Sequence, residues 1–186
     1  MKRVFDILAS FIAIVILLVP MIIIIILIRV TSPGKAIYWS DRVGRYGVIF
    51  KMPKFRSMKI NTPNLASHLI KNPDQYFSPI GEYIRRSSID EFPQLFSILK
   101  GDMSFVGPRP ALFNQDDLIK MRIEKGVDKL IPGITGWAQI NGRDELTIQD
   151  KVNLDEEYIK YQSFWFDIKI IWLTVIKVIK RVGVSH

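Results

Sequence analysis

The sequence contains no cysteine and only two histidines, His68 and His186, in 186 residues. Those two counts exclude disulfides, thiolate nucleophiles, cysteine-based or histidine-rich metal sites and a histidine-based triad. Acid is also in short supply, with 18 Asp+Glu against 26 Lys+Arg and a formal net charge of +8. Such a surplus attracts anions, whether nucleic acid, anionic lipid headgroups or phosphorylated substrates. The chemistry left to the chain is one of carboxylates and arginines. Apolar residues make up 48% beside 24% charged residues, so the apolar excess must be localised. The length allows one domain, or one domain plus an anchor.

The localised excess is the run from Ile7 to Ile28, broken only by Ser10 and Pro20. At ~1.5 Å per residue it reaches ~30 Å, enough to span hydrocarbon. Both flanks are basic, with Lys2 and Arg3 before it and Arg29, Lys35, Arg42 and Arg45 after it. The positive-inside tendency then draws both ends to the cytoplasm, which a re-entrant helix bent at Pro20 satisfies and a simple span does not. The residues leave span and re-entrant helix both open.

The densest motif is Ile84 to Pro110, IRRSSIDEFPQLFSILKGDMSFVGPRP. Ser88, with Glu91 three residues on, has the spacing of a capping box, and Pro93 is tolerable only in a first turn. A helix starting there favours ionised Asp90 and a phosphate beside it. Arg85, Arg86 and Arg109 flank the Asp90–Glu91 pair, and acids that must meet phosphate among arginines suggest a divalent cation completing the site. Pro108 and Pro110 make a rigid turn that presents Arg109 as a phosphate clamp.

Thr31 to Gly34 is turn chemistry, and AIYWSDRV and VIFKMPKF around Gly44–Gly47 read as a β-hairpin. Lys51, Lys54, Arg56 and Lys59 form a basic run, either a solvated edge or headgroup and nucleotide contacts. Residues 61–79 read as a surface loop, and 115–130 as a scaffold helix. Pro132 to Arg143 is rich in Gly and Pro, with Gln139, Asn141 and Arg143 interspersed, which allows backbone to approach a ligand closely. Thr147 caps a helix to Tyr161, in which Asp155, Glu156 and Glu157 read as a solvated acidic face. Phe164 to Val182 is amphipathic, with Lys169, Lys177, Lys180 and Arg181 opposite Ile168, Ile171, Trp172, Val175, Ile179 and Val182. Together with Trp165, that pattern suits a membrane interface.

Three motifs in order, KFRSM (Lys54–Met58), SSIDEFPQLFSILKGDMSFVGPRP (Ser87–Pro110) and PGITGWAQINGR (Pro132–Arg143), closely resemble the small bacterial polyprenyl-phosphate phosphoglycosyl transferases. The resemblance covers nearly the whole chain. It implies transfer of a sugar 1-phosphate from a UDP-sugar to polyprenyl (undecaprenyl) phosphate with release of UMP, the initiating step of bacterial glycoconjugate assembly. By the same resemblance Asp90 is the nucleophile of a phosphosugar-aspartyl intermediate, Glu91 its essential neighbour, and Mg²⁺ is held at Asp90. It also places Asp155 near the site, and it favours the re-entrant helix with both ends cytoplasmic. In the family that helix breaks at a Ser-Pro pair; here Val19 precedes Pro20.

The expected fold is α+β and mostly helical. A re-entrant membrane anchor over 1–30, broken near Pro20, and a small β-hairpin precede a cytoplasmic catalytic domain over 31–186, with an amphipathic interfacial helix over 164–182. Lys54, Arg85, Arg109, Gln139, Asn141 and Arg143 are the expected substrate and phosphate contacts. The expected partners are a UDP-sugar, polyprenyl phosphate and anionic lipids at the inner membrane, with no nucleic acid and with homo-oligomerisation left open. A non-catalytic, membrane-anchored binding or assembly module is the competing reading, and it predicts no dependence on Asp90.

Overall fold

Thirty residues with no glycine and one proline form the helix α1, Lys2–Thr31, in the computed structural model, which describes residues 1–62, 73–142 and 145–180, with side chains to 178. The helix continues through Pro20, where the sequence suggested a break. Proline removes one N–H, and packing on both sides of it keeps the flanking turns helical. A stripe of Ser10, Ala13, Ile14, Leu17, Met21, Ile24 and Ile28 faces the rest of the protein, at the three- and four-residue spacing of one helical face. The opposite face, including Phe11, Ile12, Val15, Ile16, Val19, Ile22, Ile23 and Ile26, is apolar and exposed.

Both ends of α1 are tied to the body by polar side chains. At the start, Arg3 donates to the Ile98 and Leu99 carbonyls (2.6 and 2.8 Å), and Lys2 bonds the Val106 carbonyl, Tyr158 and Asp167. At the end, the buried Arg56 donates to the carbonyls of Ser32 (3.0 Å) and Pro33. The basic run around Lys54 therefore splits. Arg56 holds α1, Lys51 pairs with Asp41 on the surface, and Lys59 bonds the Gln75 carbonyl.

The expected hairpin is present as β1 (Ile37–Val43) and β2 (Ile49–Phe55), antiparallel, with Tyr38 opposite Lys54 and Arg42 opposite Phe50. Because strand side chains alternate, Tyr38, Ser40, Arg42, Phe50, Met52 and Lys54 share one face. After α2 (Gly81–Arg86) come a single 3₁₀ turn (Ile89–Glu91) and α3 (Gln94–Lys100). Then β3 (Ser104–Val106), α4 (Asp116–Glu124), β4 (Gly133–Thr135), α5 (Trp137–Ile140), α6 (Ile148–Tyr161) and α7 (Phe164–Lys180) complete the chain.

Phe50 and Met52 pack with Leu95, Ile98 and Met103 over Ala13, Ile14 and Leu17 of α1, while Phe55 and Ile84 pack with Met21 and Ile28. A second centre, Val106, Ile140, Tyr158 and Ile170, joins α5, α6 and α7. Thr147 caps α6 as expected, accepting from Asp150 N at 3.1 Å. The helix α7 docks through Asp167 and Ile170 and leaves Trp165, Trp172, Val175 and Val178 exposed.

The docking of α1 gives a direct test. Ile28 is fully buried against Phe55 and Ile84, so Ile28→Ala is expected to cost about 2–4 kcal/mol in detergent-solubilised protein. Ile23→Ala, on the exposed face, is expected to cost less than about 1 kcal/mol. Equal losses, measured by denaturant or thermal unfolding, would show that α1 is not docked this way.

Candidate functional site

The chain leaves α2 at Arg86 and reverses at Ser88, whose φ of 57° is left-handed and uncommon for a residue with a side chain. That reversal turns Asp90 inward. No capping bond forms at Ser88, and α3 begins only at Gln94, so the carboxylates stand on their own 3₁₀ turn and not at the start of a long helix. The expected capping box is absent because a left-handed residue cannot take the extended N-cap conformation.

What surrounds the acids is cationic side chains. Lys54 Nζ lies 3.4 Å from Asp90 Oδ2 and 2.9 Å from Glu91 Oε1, bridging the two residues. Arg109 Nη2 donates to the same Glu91 oxygen at 2.9 Å. Arg85 bonds the Met58 sulfur at 3.6 Å, stands over the Phe77 ring, and is close enough to Asp90 to favour its ionised form. Arg42 reaches the Pro110 carbonyl at 3.2 Å and feels both Arg109 and Glu91.

Asp90 is 8% exposed. Burial is the largest influence on its carboxyl and pushes the pKa up; Lys54 draws it back, Glu91 adds to the push, and Arg85 and Arg109 oppose it. The sequence anticipated a helix dipole favouring the carboxylate, and desolvation outweighs every such effect here. Arg42 is pushed down to about 10 by its own burial and by Arg109, and it stays charged at neutral pH.

Of the expected site residues, the structure brings together Asp90, Glu91, Lys54 and Arg109, with Arg85 beside them. Arg143 lies outside the described residues. Gln139 bonds the Ile134 carbonyl (3.1 Å) and Asn141 the Trp137 carbonyl (2.8 Å), both within their own segment. The glycines nearby serve packing of chain on chain: a Cβ at Gly133 would overlap the Gly107 nitrogen, and one at Gly136 the Gly107 carbonyl. Pro132 to Gly136 therefore braces the Gly107–Pro110 turn, where the sequence suggested approach to a ligand.

The sequence matches the bacterial sugar transferase family over residues 1–181. The chain belongs to that family. UDP-glucose:undecaprenyl-phosphate glucose-1-phosphate transferase of Escherichia coli (strain K12) is 41% identical over 157 residues, 81% of this chain and 34% of its own. Undecaprenyl-phosphate glucose phosphotransferase of Komagataeibacter xylinus is 41% identical over 185 residues, 94% of this chain and 35% of its own. The uncharacterized sugar transferase EpsL of Bacillus subtilis (strain 168) is 37% identical over 189 residues, 100% of this chain and 91% of its own. The chain thus spans about a third of the first two and most of the third.

In this bacterial sugar transferase, composition and spacing alone did not bring two groups to the site. Arg42 was counted only as a basic flank, although its place opposite Phe50 puts it on the Lys54 face of the hairpin. Asp155, which its helix suggested was solvated and which only the family resemblance set near the site, is 1% exposed and pairs with Arg122 of α4, a helix read as scaffold. The i, i+3, i+6 spacing of Val152, Asp155 and Tyr158, all buried, was the available signal.

The raised carboxyl of Asp90 has a consequence for stability. The folded protein holds this proton more tightly than the unfolded chain does. The contribution is therefore full below the unfolded value of about 3.9 and is lost as pH rises through the higher folded value. At neutral pH Asp90→Asn is expected to melt above wild type, by roughly 2–4 °C per kcal/mol relieved. The gap should close as pH falls toward about 4. A variant melting below wild type at pH 7 would mean that the surrounding cations outweigh burial.

Proposed function

We propose that this sugar transferase moves a sugar 1-phosphate from a UDP-sugar to polyprenyl phosphate, by way of Asp90. The observation that carries the reading is a buried carboxylate beside a second one, under Lys54, Arg109, Arg85 and Arg42. Four cations around two acids leave the site positive, which suits a diphosphate. A pure binding module has no use for the desolvated acid. The names of the relatives, with undecaprenyl phosphate in two of them, supply the class of acceptor.

In the first half-reaction an Asp90 oxygen attacks the phosphorus that bears the sugar, the bond from that phosphorus to the bridging oxygen breaks, and UMP leaves with the electron pair. The product is a sugar-phosphoryl aspartate. In the second, an oxygen of polyprenyl phosphate attacks the same phosphorus and the Asp90 carboxylate departs. Arg109, held on Glu91, and Lys54, lying between both acids, are placed to neutralise charge that builds on the phosphoryl oxygens.

Mg²⁺ fits this donor set in one mode. Among the described residues no third His, Cys, Asp or Glu joins Asp90 and Glu91 to make an all-protein cage. Mg²⁺ is commonly bound through one or two carboxylates together with substrate phosphates, and Asp90 with Glu91 would supply that share. Bound there, it would offset phosphate charge that otherwise repels the carboxylates.

The site belongs at a membrane. The uncovered apolar face of α1 and the exposed Trp165 and Trp172 of α7 are surfaces that a lipid phase would cover. Lys2 and Arg3 at the start of α1 bond the body, and Arg56 of the body bonds the Ser32 carbonyl just past its end, which supports a helix that enters the membrane without crossing it, both ends cytoplasmic. Reporter tags ahead of Lys2 and after His186 are expected to read cytoplasmic together; a periplasmic signal from the first would overturn this topology.

The two-step route predicts that the purified chain, given its UDP-sugar and Mg²⁺ without acceptor, releases at most about one equivalent of UMP and gains the mass of a sugar phosphate on the Asp90 peptide. Asp90→Asn should show neither, and EDTA should suppress both. UMP release that strictly requires polyprenyl phosphate, with no trappable adduct, would favour direct displacement and reduce Asp90 to a metal ligand.

A further inference from the structure

The turn that presents Arg109 contains two prolines, so it has few N–H groups with which to fix itself. It is fixed through its carbonyls. Pro108 O accepts from Gly133 N at 2.9 Å, Pro110 O from Arg42 Nη1 at 3.2 Å, and Ala111 O from Val43 N at 2.9 Å. The carbonyl of Arg109 itself is held from a different quarter, by Arg122 Nη1 of α4 at 2.7 Å. The other donors of Arg122, Nε and Nη2, both meet Asp155 Oδ2 of α6, at 3.0 and 2.7 Å.

The pair is deeply buried, its side chains 11% and 2% exposed. Burial pushes the Asp155 carboxyl up and Arg122 draws it back toward the ionised form. Such a pair is a poor source of stability, since apolar residues of similar volume commonly serve as well or better. A guanidinium fork does offer geometry: with two donors locked on the acid, the third can point only at one carbonyl. A lysine in its place has one freely turning ammonium and cannot hold both ends.

We propose that Arg122 and Asp155 are positioning residues, which together fix the backbone of Arg109 so that its guanidinium lies on Glu91 and over the phosphoryl group. They touch no reacting atom. The inference rests on the phosphoryl-transfer reading given above and adds to it a dependence of the site on α4 and α6.

The test compares kcat/KM for the UDP-sugar, at saturating polyprenyl phosphate, across variants of the whole chain. Asp155→Asn and Arg122→Lys are each expected to lose tenfold to a hundredfold, the order that a displacement of about 1 Å costs at a reacting centre. The apolar double variant Arg122→Met with Asp155→Leu should melt no lower than wild type and remain as slow. Introduced into Arg109→Lys, itself impaired because an ammonium cannot replace the fork, Asp155→Asn should cost less than about threefold more. Full activity in the apolar double variant would overturn the proposal, as would an equal cost of Asp155→Asn in both backgrounds. Should the double variant not fold, the Arg109→Lys comparison decides alone. A wild-type chain inactive with every donor tried would overturn the transfer reading, and this inference with it. An active wild type with unimpaired variants would overturn this inference only.

Discussion

In the proposed reaction Asp90 must be ionised to attack phosphorus, yet it is buried, and desolvation acts against that ionisation. The cations around it answer this conflict. Lys54 comes from the hairpin, Arg85 from α2 and Arg109 from the proline turn, three segments that the chain separates by dozens of residues. Each is held by something other than the acid it serves. Lys54 is fixed by strand pairing, Arg85 by the Met58 and Phe77 side chains, and Arg109 by a turn whose carbonyls are bonded to neighbouring elements. Groups held in place before substrate arrives need little reorganisation as charge develops, and this is where electrostatic catalysis has its advantage.

The same hairpin links the site to α1. Lys54 and Arg42 share their face with Met52 and Phe50, and those two side chains pack with Leu95, Ile98 and Met103 over Ala13, Ile14 and Leu17. The helix whose outer face is apolar is thus the floor on which α3 and the hairpin carrying Lys54 rest. A lipid phase covering the outer face of α1 would hold Asp90 at a set height above it. In the proposed reaction this matters for the acceptor, whose phosphate can rise from the membrane only as far as its headgroup allows.

Legibility in the sequence followed the range of the interactions. The Asp90–Glu91 pair, the proline turn around Arg109, the hairpin and the Thr147 cap are each set by a few neighbouring residues, and each could be read from spacing. The capping box at Ser88 had the right letters and failed, because Ser88 is needed left-handed to reverse the chain, and local propensity yields to that demand. The glycines of Pro132–Gly136 had two readings with the same composition. Only the parallel pairing of β3 with β4 shows that their partner is the backbone of Gly107. The pairing of Arg122 with Asp155 could not be read for a simpler reason: they are 33 residues apart, and an acid on a polar helix looks solvated until its face is known to be covered.

One set of cations can serve both halves of the proposed reaction. The donor and acceptor differ in solubility, yet each brings a phosphate to the same phosphorus, and the two steps never require both at once. A covalent route therefore needs only one pocket of fixed positive charge, whereas a ternary complex would crowd two phosphorylated substrates, one of them a diphosphate, onto the same four cations and two acids. The crowding would be worse at this site because Lys54 and Arg109 already share a single oxygen of Glu91. Release of UMP before the acceptor enters frees those donors for the second phosphate. The geometry of one buried carboxylate under a shared canopy of cations thus favours substrates taken in turn.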